Sequence, residues 1–330
     1  AIMLSITIQR SDDLLDAPDK RLVASIGICA VLLFFAFPAA NASCLPEASQ
    51  ADDDIVCIDT DTNPVVSGNG SDTITVSTGA SLDVQGSTPA TSVTAIDSGN
   101  QHDTVINFGS VSACLVTDTT PIALLNTDIN NSWNELISVG INLGNGDDYF
   151  ANHGSLVVST TLSTSPSTAT NSIVTARHGN EPPLTQVTAT GVVGGNGQDV
   201  IVNTGDISVS VQDDTGSNSV SAVGINSGNG TDVITNTGTI IVTASSAQPD
   251  QLAIVPSSAS SANPTDASEA GATATGIDAG NAADVVITNT GTLEVHSSSD
   301  GSVAQVSALG ILSGNGKDVI FNDGVVNVTA

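Results

Sequence analysis

Residues 194–202, Gly-Gly-Asn-Gly-Gln-Asp-Val-Ile-Val, bring together the parts of a cation-binding turn. Glycines let backbone carbonyls converge, and Asp199 adds a hard carboxylate oxygen of the kind calcium prefers. The stretch fits the nonapeptide pattern G-G-x-G-x-D-x-U-x, in which calcium sits between stacked turns. Residues 144–151, 228–235 and 314–321 fit all of it but the first glycine. If ions bind, the ligands are Asp148, Asp199 and Asp232, whose turns keep Gly146, Gly197 and Gly230 after the asparagine. The sixth copy replaces that glycine with Ala282, and the seventh sets Lys317 beside Asp318, so both suit a cation less well.

The spacing supports a second reading. Calcium arrays of this kind recur every nine residues, whereas here the turns are 31 to 52 residues apart. An aspartate at a turn can instead cap local backbone N–H groups. Repulsion between neighbouring carboxylates is only about 1 kcal/mol in water, which exposed turns tolerate. Calcium ligands and turn caps both stand at this point, and the turn cap is the simpler. No other cofactor is expected.

Catalysis finds little support. Polysaccharide cleavage by carboxylates needs two acids in differently tuned surroundings, and these aspartates repeat in near-identical contexts. His102, His153, His178 and His296 share no repeat position or metal-ligand spacing. The chain is not expected to be an enzyme.

The elements that position these turns follow from the repeat. Seven Gly-Asn dipeptides begin at Gly68, Gly99, Gly144, Gly195, Gly228, Gly280 and Gly314. Three residues past each asparagine stands an aspartate, and two further on an apolar residue, such as Ile201, Ile234 or Val286. An N-x-G corner follows, with Asn107, Asn152, Asn203, Asn236, Asn289 and Asn322; the first copy has Ser77 there. Copies one and six carry an extra residue between turn and glycine, read as bulges. After the corner, apolar residues alternate, as in Leu156/Val158, Ile207/Val209 and Ile240/Val242. Another aliphatic precedes each Gly-Asn by three residues, as Ile141 and Ile225 do.

Each copy therefore reads as three short strands of period two, separated by turns. No copy can bury its apolar face alone, so the copies must stack. The expected fold is all-β: a right-handed parallel β-helix of about seven rungs over residues 63–330, the hand following the usual crossover rule. At about 4.8 Å per rung it forms a rod of roughly 35 Å. The corner asparagines share parity with the inward aliphatics, so they should stack inside and bond to one another. Sequence between the third strand and the next rung is short after some copies. It is long, and rich in Ser, Thr and Pro, after copies two, three and five. Such insertions commonly build a contact face, although loops of this length are also tolerated at little cost.

Composition narrows the partners. The chain has 330 residues, a net charge of −29 and 2% aromatics, and only Arg177 and Lys317 are basic after residue 42. Nucleic acid and anionic headgroups need a basic footprint, so neither is an expected partner. Residues 20–42, KRLVASIGICAVLLFFAFPAANA, have a basic pair, an apolar run and small residues before a cut after Ala42. Residues 1–42 thus read as a signal peptide, the apolar run being short for a span of roughly 20 residues. Export to an oxidising compartment predicts a Cys44–Cys57 disulfide in an N-terminal cap, residues 43–62, with Cys114 as the odd thiol.

The opening CLPEASQADDDIVC followed by GNGSDTITVSTGA, and the rungs GNGTDVITNTGTI and GNAADVVITNTGTL, resemble the passenger domains of alphaproteobacterial autotransporters. The resemblance extends over residues 43–330. It implies export to the cell surface or outer membrane, an adhesive or structural role, and an unknown surface or host ligand. It also implies a C-terminal outer-membrane β-barrel, which these residues do not include and which would be the only membrane contact. The rival readings are a calcium-binding solenoid of the repeats-in-toxin type and a carbohydrate-active β-helix.

Overall fold

The computed structural model describes residues 44–45, 51–87, 92–118, 135–163, 186–214, 219–246, 271–280, 284–299 and 305–330. Residues 1–42, read from the sequence as a signal peptide, lie outside them, as do Asn281, Ala282 and the three long inter-rung stretches. The described residues form strands and turns with no helix.

Each Gly-Asn copy contributes one strand to each of three sheets, of seven, nine and eight strands, parallel throughout except for Cys44–Leu45 at the edge of the nine. In the fourth rung, Gln186–Val193 lies in the first sheet, Val200–Asn203 in the second and Asp206–Asp213 in the third. A Gly-Asn turn joins the first two strands, and the N-x-G corner joins the last two. Neighbouring rungs pair in parallel throughout, so the fold is a parallel β-helix. Alternation explains the pairing: each strand buries every second residue, as the pattern of Asp206–Asp213 shows. Its inward side chains have nowhere dry to go except onto the same positions one rung away.

The core is a thin aliphatic file inside this coil. Ile74, Ile201, Ile234 and Ile240 are fully buried, and Phe150 is the largest side chain so enclosed. Small β-branched residues suit this space because three sheets a few residues wide leave room for little else.

The cap residues continue the coil. Asp54–Cys57 pairs in parallel with Thr73–Val76, and Thr60–Asp61 with the start of Ser81–Ser87. The segment after Cys57 is thus part of a rung that precedes the first Gly-Asn copy. Cys44–Leu45 then runs antiparallel along Asp54–Cys57, and Cys44 is disulfide-bonded to Cys57. Cys114 is not the odd thiol the sequence suggests: it is buried, disulfide-bonded, and accepts a hydrogen bond from Ser159 Oγ at 3.2 Å.

Register corrects the alignment at both irregular copies. In the first, Val76 and not Ser77 pairs with Asn107, so the corner column begins with an apolar residue. The extra length there forms a turn, Ala80 N–H donating to the Ser77 carbonyl at 2.9 Å. In the sixth copy the extra residue falls before the strand. Ile287 pairs with Ile234, which puts Val285 on the aspartate position and leaves Val286 41% exposed. Pairing across rungs outweighs the local motif, because a slip of one residue would turn each inward side chain outward.

Candidate functional site

The Gly-Asn edge carries the residues singled out for chemistry, and three files of polar side chains run along it. The outermost consists of Asn69, Asn100, Asn145, Asn196 and Asn229, which are exposed. Asn100 Nδ2 donates to Asn69 Oδ1 at 2.8 Å, Asn145 to Asn100 at 2.7 Å, Asn196 to Asn145 at 2.6 Å and Asn229 to Asn196 at 2.9 Å. Every bond points toward the N-terminus. Strand parity gave no sign of this ladder, because these asparagines sit in the turn.

The turn itself is fixed by close stacking. Gly195 has φ +100°, and a Cβ there would collide with the Gly144 carbonyl oxygen. Positive φ favours glycine, but the approach of the next rung forbids any side chain regardless of conformation.

The second file holds Asp72, Asp103, Asp148, Asp199 and Asp232, each 0–2% exposed. The calcium candidates Asp148, Asp199 and Asp232 are thus adjacent rungs of one buried file. Each carboxylate spends Oδ1 on the preceding rung. Asp72 N–H donates to Asp103 Oδ1 at 2.8 Å, Asp103 to Asp148 at 2.7 Å, Asp148 to Asp199 at 3.0 Å and Asp199 to Asp232 at 3.0 Å. These aspartates cap backbone, but across rungs and not within their own turn. The file breaks at Val285, whose N–H donates to Asp318 Oδ1 at 3.1 Å.

In all five of these aspartates Oδ2 is buried without a hydrogen-bond partner. Burial pushes the Asp103 carboxyl up to about 7; the Asp72 N–H and the Ser98 hydroxyl oppose that, and the charges of Asp148 and Asp72 reinforce it. Burial likewise raises Asp199 to about 7 and Asp148 to about 6, and it raises Asp232. Calcium requires six to eight oxygens in one shell. Beside the orphan oxygens stand Ser98 and Ser227, and Gly194 lies against Asp199 Oδ2. Leu143 and Ala279 occupy the same column and offer no side-chain oxygen. Among the described residues no three His, Cys, Asp or Glu side chains converge as a metal site. Side chains alone therefore do not supply the six to eight oxygens of a calcium shell at these turns.

The third file is the corner asparagines. Asn107 donates to Asn152, Asn152 to Asn203, Asn203 to Asn236, Asn236 to Asn289 and Asn289 to Asn322, at 2.7–2.8 Å. The five donors are fully buried. This ladder points toward the C-terminus, opposite to the outer one. Below Asn107 the column continues with Val76 and Cys57, so the disulfide stands at its foot.

Two exposed features lie beside these files. His102 Nδ1 accepts from Asp147 N–H at 2.9 Å, and Asp147 in turn accepts from Gln198 N–H at 2.9 Å. Phe108 stacks on His153, with ring centroids 5.0 Å apart. Both are contacts between rungs and could be found only after register was known.

No known protein family matches the sequence, and no curated protein or solved structure matches it either.

Proposed function

We propose that the chain is a secreted, surface-displayed β-helical passenger whose inter-rung segments make adhesive contacts. One observation carries this reading: the connections that differ most in length all join a strand of the third sheet to the next strand of the first. Asp118 and Glu135, Ser163 and Gln186, and Ser246 and Gly271 end and restart strands of the third and first sheets. The short connections 88–91, 215–218 and 300–304 interrupt the same pair of sheets. The Asn corner varies only in the first copy, and the Gly-Asn turn only in the sixth. A scaffold that fixes two corners and varies the third supports display along one edge.

Other features agree with export and solubility. A structural disulfide belongs to oxidising compartments, and the net charge of −29 keeps a solenoid with open strand edges apart from its copies. The aspartate file is buried, so it offers no acid–base pair to a polysaccharide.

The test is to replace residues 119–134, 164–185 and 247–270, singly and together, by the four-residue connector 88–91. Display is followed by labelling intact cells with an antibody raised against the solenoid. Adhesion is scored on polystyrene, on sister cells and on an epithelial monolayer. The reading expects labelling without permeabilisation, unchanged β-sheet circular dichroism, and weaker adhesion to at least one surface. Labelling only after permeabilisation would remove surface display, and adhesion equal to wild type on all three surfaces would remove the adhesive role.

A further inference from the structure

We propose that the outward face of the nine-stranded sheet is a dimer interface, covered by the same face of a second copy of the chain. Charge singles this face out. From Thr73 to Phe321 the outward residues of its strands include no Asp, Glu, Lys or Arg, although the chain carries a net charge of −29. One column runs Tyr149, Val200, Val233 and Val286, and all but Val200 are 38–41% exposed. The outward faces of the other two sheets are charged. Glu135 and Asp278 stand on the seven-stranded sheet, and Asp83, Asp206 and Glu294 on the eight-stranded one. Copies of so acidic a chain repel wherever such faces meet, and the nine-stranded sheet is exempt.

Its chemistry and size suit association with a copy of itself. Val, Ile and Thr are stiff at χ1, so docking them sacrifices little side-chain freedom. The strands from Thr73–Val76 to Val319–Asn322 cover about 34 Å by roughly 16 Å, so a pair of faces buries about 1,100 Å², at the lower limit of specific interfaces. Outward side chains on this sheet form ridges that repeat at the rung spacing. A second copy supplies ridges of the same pitch along the whole length.

Two-fold symmetry opposes each part of the face to another part of itself, so the rims must tolerate one another. Lys317, the only lysine or arginine among the described residues, is exposed two positions before the strand Val319–Asn322. A two-fold axis along the strands reverses the stack and sets Lys317 against Asp52 of the second copy. Asp52 holds the same position before Asp54–Cys57, at the other end of the parallel strands. An axis along the stack sets Lys317 instead against Asp323, just past its own strand. Neither arrangement opposes like charges: Asp147, for example, meets Gln198 in the first and His153 in the second. An uncharged centre with complementary rims is the pattern of a self-matching interface.

The experiment uses the full chain in chelator, so that no divalent ion bridges acidic copies. Sedimentation equilibrium between about 1 and 100 µM should show a reversible monomer–dimer equilibrium, in the weak range that an interface of this size supports. Val202→Asp, in the middle of the face, should weaken dimerisation at least about tenfold, because it buries an unpaired charge in the pair. Ser208→Asp, outward on the eight-stranded sheet, should leave dimerisation as it was. Lys317→Asp should also weaken it, and either Asp52→Lys or Asp323→Lys added to that variant should restore it. Circular dichroism checks that each variant keeps its sheet content. A wild type that stays monomeric across the range would overturn the proposal whatever the variants do. So would a folded Val202→Asp chain that dimerises like wild type, or rescue by neither added lysine. Assembly growing beyond the dimer would point to pairing of strand edges and overturn it as well.

Discussion

Asn152 gives one side-chain hydrogen to Asn203 Oδ1 at 2.8 Å and bonds the Asp206 carbonyl oxygen at 3.1 Å. A fully buried amide thus spends its donors on the next rung, while its own oxygen accepts from Asn107. Removing one such residue leaves groups unpaired on both sides.

Asn152→Leu should therefore cost about 3 kcal/mol or more, since each buried group left bare costs about 1–3 kcal/mol. Asn145→Ala, in the exposed ladder, should cost less than about 1 kcal/mol because water replaces the partner. Denaturant midpoints of the two variants, read with unchanged slopes, provide the comparison.

The sixth rung allows register to be tested directly. Ile287 is fully buried and pairs with Ile234, whereas Val286 points outward. Ile287→Ala should cost about 2–5 kcal/mol, as should Ile234→Ala, while an exposed change such as Val286→Ala stays within about 0.5 kcal/mol. The reverse order in a thermal or urea melt would restore the motif-based alignment, with Val286 inside.

Gly195→Ala tests the stacking of the turns. The left-handed conformation alone costs an alanine about 1–2 kcal/mol, and the collision with the Gly144 carbonyl adds to it. The variant should lose at least about 2 kcal/mol, with hydrogen exchange faster at Asn196 and Asn229, whose N–H groups bond to Gly144 and Gly195. Exchange unchanged at both amides would show that the turns are not in contact.

The Cys44–Cys57 bond spans 13 positions. Closing a loop of that size stabilises by about 3 kcal/mol in the chain-entropy account. Cys44→Ser/Cys57→Ser should lower the urea midpoint accordingly and speed exchange along Asp54–Cys57, the strand whose outer edge Cys44–Leu45 covers. A double variant as stable as wild type would leave the bond without a structural role.

Much of this was legible in the residues. Period-two alternation marked the inward files, and the recurrence of Gly-Asn and N-x-G marked the turns that divide them. Parity placed Asn152 and Asn203 inside before any contact was known. The outer ladder gave no such signal, because a turn residue has no parity to read.

The sequence by itself determined that the copies stack as thin parallel rungs, since alternation and glycine turns are local properties of a few residues. It could not decide which residues share a file where copies differ in length. Val76 below Asn107 and Val285 above Asp232 follow from pairing between strands 31 and 53 residues apart. Nor could it decide that the turn aspartates face inward, each bonded to a neighbouring rung with one oxygen left bare. Those outcomes are set by non-local hydrogen bonds and burial, which exist only once one rung lies on another.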